Sequence, residues 1–272
     1  GVCRACAGRG QKSAAYPAQA EMPGLRGALQ SSARHARRAS LRGLRRANVR
    51  AGIPAGVLRA VPARRGRSPA GLTNGKEPVL TEYRPLRQSD LTRALFAGFI
   101  RRQRVTKCWR REDGVWRIKD DPFTDDWTER DYAELAAGLR ETARRGGFVC
   151  GAFCSGVLKG FVSVEAELFG ARARYADLSS LHVSADMRGR GAGTALFTLA
   201  KRWAAARGAE KLYISAHSAA ETQAFYRSRG CTDAAELSMA HVEREPYDCQ
   251  LECVLQQSPD PARAGAGANV KG

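Results

Sequence analysis

The sequence predicts an α/β fold: a mixed, mostly antiparallel twisted sheet with flanking helices. Three observations carry this prediction. The apolar runs FVCGAFC and VLKGFVSVEAEL are separated only by Ser155-Gly156, a two-residue hairpin signal. The strand-like ARYADLSSLHV then runs into Arg188-Gly189-Arg190-Gly191-Ala192-Gly193 and a helical pattern, which predicts one parallel crossover. A last strand-like stretch, YDCQLECVL, follows the second helix of that unit, and no segment repeats.

The elements follow in order. EPVLTEYRPL reads as a first strand, and Ser89 as the cap of a helix whose Leu91, Leu95 and Phe99 share one face. The segment TKCWRREDGVWRIKDDPFTDDW, rich in Trp and Asp, reads as a loop. Thr128 and Asp131 form a capping-box pattern, Tyr132, Leu135 and Leu139 give the next helix its apolar stripe, and Gly146-Gly147 ends it. After the hairpin and the glycine turn, Leu196, Ala200, Trp203 and Arg207 line one side of a helix stopped by Gly208. KLYIS is then a strand, and ETQAFYRSR a helix stopped by Gly230.

Charge is uneven along the chain. Residues 1–75 carry fifteen Lys and Arg against the single acid Glu21, whereas the other residues hold thirty against twenty-six. The front is rich in Ala, Arg, Gly and Ser with few large apolar residues, so it cannot bury enough surface to offset chain entropy. It reads as a disordered extension, a basic arm for nucleic acid or a cleavable transit peptide. Nucleic acid is expected as a partner only through this segment. Residues 76–256 form the expected ordered domain, and residues 257–272 a disordered tail. No apolar run approaches membrane-spanning length, so a cytoplasmic protein without a membrane partner is expected. Of eight cysteines, Cys3 and Cys6 form one CxxC without a second pair, while Cys150/Cys154 and Cys249/Cys253 lie four apart in strand-like runs. They read as buried free thiols, and no metal is expected.

The stretch from Leu181 to Gly193, LHVSADMRGRGAG, poses the functional question. Glycines let the backbone approach an anion closely, and bare amides at a helix start hold phosphates well. The spacing G-x-G-x-G lacks the third glycine of a dinucleotide fingerprint, and no series of βαβ units flanks it. A Walker A loop is excluded because no Gly-Lys-Ser/Thr follows.

Arg188-Gly189-Arg190-Gly191-Ala192-Gly193 resembles the R/Q-x-x-G-x-G/A signature of the GNAT superfamily of acetyl-CoA-dependent N-acetyltransferases. The resemblance spans residues 80–255 and includes the later helix with Phe225-Tyr226, closed by Gly230-Cys231 where the family usually has Gly-Phe. It implies that amides from Arg188 through Gly189, Arg190, Gly191, Ala192 and Gly193 to Thr194 hold the diphosphate of acetyl-CoA. The pantetheine arm would then lie along Leu181, His182 and Val183. Many relatives carry an Asn where this chain has Ala219, so Ser218 or Glu221 is expected to take over that contact.

The resemblance also implies an acidic residue eleven positions before Arg188, which is Asp177. A lysine-like amine with a pKa of about 10.4 is almost wholly ammonium at pH 7, so attack on a thioester needs a proton sink. Asp177 is the expected general base, acting through a water; its alternative is a partner for Arg172, Arg174 or a tail lysine. Tyr226 stands where the family places a tyrosine that protonates the departing sulfur, its alternative being core packing. His182 and His217 are further candidates.

For the acceptor, Trp109, Asp125 and Trp127 in the presumed loop, with Tyr247 before the last strand, combine acids and aromatics that suit a cationic amine. The alternative is a solvated loop anchored by its tryptophans. The expected activity is transfer of acetyl from acetyl-CoA to a primary amine of a small molecule or peptide, by direct attack in a ternary complex of a monomer or homodimer. A silent acyl-CoA sensor and a peptide acetyltransferase directed by the basic arm are the alternatives.

Overall fold

The computed structural model describes residues 81–256. The segments expected as a basic extension (1–75) and a tail (257–272) lie outside the described residues. Strand β1 (Thr81–Pro85) opens the domain. The expected helix behind Ser89 is instead two 3-10 turns, Gln88–Asp90 and Arg93–Phe96. Leu91, Phe96 and Phe99 are the buried residues there, at spacings of five and three that no α-helical stripe satisfies.

The Trp- and Asp-rich segment is not a loop. It forms a hairpin of β2 (Arg102–Glu112) and β3 (Val115–Asp126), turning at Asp113 (φ 48°) and Gly114 (φ 79°). Helix α1 (Glu129–Arg144) follows. Its capping box is present: Thr128 Oγ1 accepts from the Asp131 amide, and the Asp131 carboxylate accepts from the Thr128 amide.

The predicted hairpin is β4 (Phe148–Cys154) and β5 (Val157–Val164), with positive φ at both Ser155 and Gly156 as its two-residue turn requires. The short strands β6 (Leu168–Phe169), β7 (Tyr175–Asp177) and β8 (Ser180–Val183) follow. Helix α2 (Ala192–Ala206), strand β9 (Lys211–Ala216), helix α3 (Ala220–Arg227) and strand β10 (Thr232–Asp233) come next. The short helix α4 (Met239–Arg244) and strand β11 (Cys249–Val254) end the domain.

The strand order is β1-β4-β5-β8 in one sheet and β10-β11-β9-β7-β6 in a second, with the β2-β3 hairpin apart. Among the described strands all pairings are antiparallel except β7 with β9. β7 and β8 are one chain path that changes partner. Tyr175–Asp177 pair with β9; the Leu178 amide donates to the Tyr213 carbonyl, and the Asp177 carbonyl accepts from the Glu165 amide. Beyond that point Ser180–Val183 pair with β5. β8 and β9 therefore splay apart, because past Asp177 the two paths take different partners.

Apolar layers hold both faces. On one, Leu196, Phe197, Ala200 and Trp203 of α2 pack against Val162, Leu212 and Ile214. On the other, Leu91, Phe96, Phe99, Tyr132 and Leu139 cover Phe161 and Val149. Full burial of side chains of this size is worth about 1.5–3 kcal/mol each, which fixes the sheet and hence the splay. The hairpin straps across the open ends. The Ile100 amide donates to Ser184 Oγ beyond β8, and the Trp109 amide donates to the Ser218 carbonyl beyond β9.

Candidate active site

The splay opens into a cavity of about 570 Å3. β8 and its preceding turn contribute Leu178 to Val183, β9 and its end contribute Ser215, Ala216 and His217, and α3 contributes Glu221, Thr222, Phe225 and Tyr226. The glycine turn closes one side. Gly189 and Gly191 have φ of +76° and +86°, and a Cβ at either would meet nothing within 4 Å. Both conditions suit a backbone concavity that a ligand fills.

Helix α2 has Gly191 as its N-cap, with no side chain satisfying its first amides. Those amides and the positive helix end converge where an anion would sit. Arg229 adds charge at this place. Its Nη2 lies 2.5 Å from Thr194 Oγ1, and its guanidinium stacks 3.6 Å over the Phe225 ring. Arg188 lies in the cavity wall, its Nε donating to the Val183 carbonyl at 3.3 Å. The residues present thus fit a diphosphate followed by an extended, hydrogen-bonding arm.

Of the residues expected to hold acetyl-CoA, Leu181, His182, Val183, Arg188, Gly189, Gly191, Ala192, Gly193, Thr194 and Glu221 line this cavity. Arg190 and Ser218 are not among the lining residues; Arg190 is exposed, and Ser218 Oγ accepts from Arg110 at 2.7 Å. Tyr226 lines the cavity while 6 % exposed, and burial pushes its phenol pKa up, so its hydroxyl carries a proton at neutral pH. The ring also packs edge-on against Phe197, so its body is core and its tip reaches the cleft.

Asp177 does not line the cavity. Its Oδ2 lies 3.0 Å from His241 Nε2, which ties the splay point to α4. Besides Glu221, two carboxylates face the cavity, Glu245 just after α4 and Asp248 just before β11. The Asp248 amide donates to the Glu245 carbonyl across the turn between them, and Asp248 Oδ2 lies 3.4 Å from Ser215 Oγ on β9. Burial, then the neighbouring Glu245 charge, pushes the Asp248 carboxyl up to about 7. Burial likewise raises that of Glu245.

Both histidines of the cavity move the opposite way. Burial, with the Arg101 guanidinium second, holds His182 well below its ordinary value, and burial also lowers His217. The His182 ring packs on Trp127 and Phe161, and His217 Nδ1 accepts from the Ala219 amide. Sequence reasoning missed Asp248, Arg101 and Arg229 as cavity residues. Asp248 directly precedes Cys249, which pairs with Ala216 at the end of β9, so the register of the last strand brings it to the cavity.

Of the residues expected to bind the acceptor, none is among those lining this cavity. Trp109 packs against Trp116 under Arg227, and Tyr247 is exposed beneath Arg110. Asp125 is 5 % exposed, with Arg101 Nη2 at 2.5 Å from its Oδ2, and Arg101 does line the cavity. Trp127 lines a second cavity of about 640 Å3 along α1, with Asp131, Glu134, Glu141 and Glu165. Ser179 and Ser180 line both cavities, while the consecutive residues Arg244 and Glu245 line one each.

Residues 112–231 match the family model described as Acetyltransferase (GNAT) family. No curated protein sequence matches the chain. Among solved structures, one described as a streptothricin acetyltransferase from Bacillus anthracis str. Ames, in complex with acetyl coenzyme A, aligns at 14% identity and TM-score 0.50, covering 66% of this chain and 99% of that one. A nourseothricin acetyltransferase aligns at 19% identity and TM-score 0.46, covering 65% and 99%. The first shares the fold, a mixed α/β architecture with mostly antiparallel sheets. Glycine turn and splayed strands lie in or beside the matched segment: residues 112–231 are similar to the acetyltransferase domain of the GNAT family.

Proposed function

We propose that the domain moves acetyl from acetyl-CoA to a primary amine of a small molecule or peptide, by direct attack in a ternary complex. The observation that carries this reading is the polarity of a single cavity. At the glycine turn it offers bare amides with Arg188 and Arg229, and beside β9 it offers Glu245 and Asp248. The first set suits an anionic donor and the second a cationic acceptor.

Acetyl-CoA, when bound, supplies an acyl group activated as a thioester. The chain's own residues supply the rest. The α2 amides and Arg229 hold the diphosphate. The edge of β8 that faces away from β5 offers hydrogen bonds to the arm and a backbone amide near Val183 to the acyl oxygen. Tyr226, protonated and buried, stands ready to give a proton to sulfur. Asp177 holds α4 through His241 and so positions the segment that carries Glu245 and Asp248. The acceptor approaches through the second cavity, whose shared wall at Ser179 and Ser180 leads to the first.

The test is incubation of the full chain with acetyl-CoA and a panel of a polyamine, an aminosugar and a lysine-containing peptide. Thiol release matched by acetylated amine in the mass spectrum is expected for at least one of them. Thiol release without acetylated amine, or neither, overturns the reading.

A further inference from the structure

We propose that Asp248 is the catalytic residue that takes the proton from the acceptor ammonium. This rests on the amine acetyltransferase reading and names a residue that the family signature does not point to. Four observations carry it. Asp248 lines the same cavity as the glycine turn and Tyr226, whereas Asp177 is bound by His241 and does not line it. It stands on the β9 side of the splay, with Ser215 Oγ as its near neighbour at 3.4 Å. Among the described residues that one long contact leaves most of its acceptor capacity for an incoming N–H. Tyr226 stands in the wall of that same cavity, which brings the proton acceptor and the proton donor into one compartment.

The surroundings decide between Asp248 and the other titratable groups. Facing it are Glu245 from the turn, His241 from α4, Tyr226 from α3, Ser215 from β9 and Cys249 from β11. Burial, then the Glu245 charge, holds Asp248 near neutrality, where a base is both ionised enough and basic enough to work. Burial makes His182 and His217 weaker bases than free imidazole. Glu221, the remaining carboxylate of the wall, is exposed.

One ammonium N–H bond breaks and its proton passes to the Asp248 carboxylate. The freed lone pair forms the N–C bond, the C–S bond breaks, and its electron pair leaves on sulfur. A second nitrogen proton is lost from the new amide, and one proton reaches sulfur by way of the Tyr226 hydroxyl. Asp248 returns its proton to solvent, so one proton is released per turnover.

The experiment uses the full chain, with Asp248→Asn, Asp248→Glu and Asp177→Asn, and the amine of the panel that the wild type acetylates fastest. The wild-type kcat/KM is expected to rise to a plateau above pH ~7, whereas Asp248→Asn loses that limb and keeps rising toward the amine's own pKa, about 10. At pH 7 the loss should be about 10²- to 10⁴-fold, with partial recovery in Asp248→Glu. Binding of acetyl-CoA to Asp248→Asn should remain within twofold of wild type. Independently of turnover, a 13C NMR titration of the free protein should place the Asp248 carboxyl midpoint near 7. An unchanged pH profile in Asp248→Asn, a midpoint below 5, or loss of the neutral limb in Asp177→Asn alone overturns the assignment while the acetyltransferase reading stands. A wild type that acetylates no amine overturns both.

Discussion

Replacing Asp248 with Asn should stabilise the protein at alkaline pH and leave it unchanged in acid. A free aspartate ionises near 3.8, whereas burial and the Glu245 charge push this one up to about 7 in the folded protein. The folded state therefore keeps a proton that the unfolded chain releases. Stability from this group is fully present below pH ~4, falls as pH rises, and is gone above pH ~7. A displacement from 3.8 to about 7 corresponds to about 4 kcal/mol over the whole range. Between pH 5 and pH 8 the expected share is about 2–3 kcal/mol, because two pH units of that range separate 5 from the folded midpoint. His182 and His217, held below their ordinary values, tilt the raw wild-type curve the other way, since a depressed imidazole gains stability as pH rises. They are common to both proteins and cancel in the difference. The assay is urea unfolding of both proteins at half-unit steps from pH 5 to pH 8. A variant-minus-wild-type difference that climbs by about 2–3 kcal/mol supports the electrostatics argued here. A flat difference refutes them.

Two further outcomes follow. Arg101→Met removes the buried counter-charge of Asp125, whose side chain is 3 % exposed, and should destabilise the fold by about 3–5 kcal/mol in urea unfolding. The double variant Arg101→Met/Asp125→Leu should recover much of that loss, which a role confined to side-chain packing would not produce. Tyr226→Phe keeps the ring contact with Phe197 and should change stability by less than about 1 kcal/mol. It should lower kcat by about 10- to 100-fold if its hydroxyl serves the sulfur, with KM for the amine little changed.

Where local chemistry and tertiary context agree, the sequence was readable. Ser155-Gly156 and the Thr128–Asp131 box each act within a few residues, and both stand as expected. The glycine turn was readable because positive φ at Gly189 and Gly191 restricts residue type. The helix expected at Ser89 failed because three apolar residues at helical spacing say nothing about which of them is buried; Leu95 stays partly exposed while Phe96 is buried. The β2-β3 hairpin was hidden by its charge. Only Val105, Cys108 and Asp125 of its strands are buried, so no alternation of apolar residues marks it, although Asp113-Gly114 is a turn signal. Cavity residues contributed by that hairpin and by the α4–β11 turn depend on long-range contacts, such as Trp109 to Ser218 and Asp248 to Ser215, that no short window encodes.

The central claim is that the turn at Gly189–Gly193 cradles the diphosphate of acetyl-CoA. Calorimetric titration of the full chain with acetyl-CoA tests it directly, with Gly191→Trp as control and circular dichroism confirming that the variant folds. Saturable binding by the wild type that is lost in the folded variant is the predicted result. No binding by the wild type, or equal binding by both, would contradict the claim and return the glycines to an ordinary strand-to-helix turn.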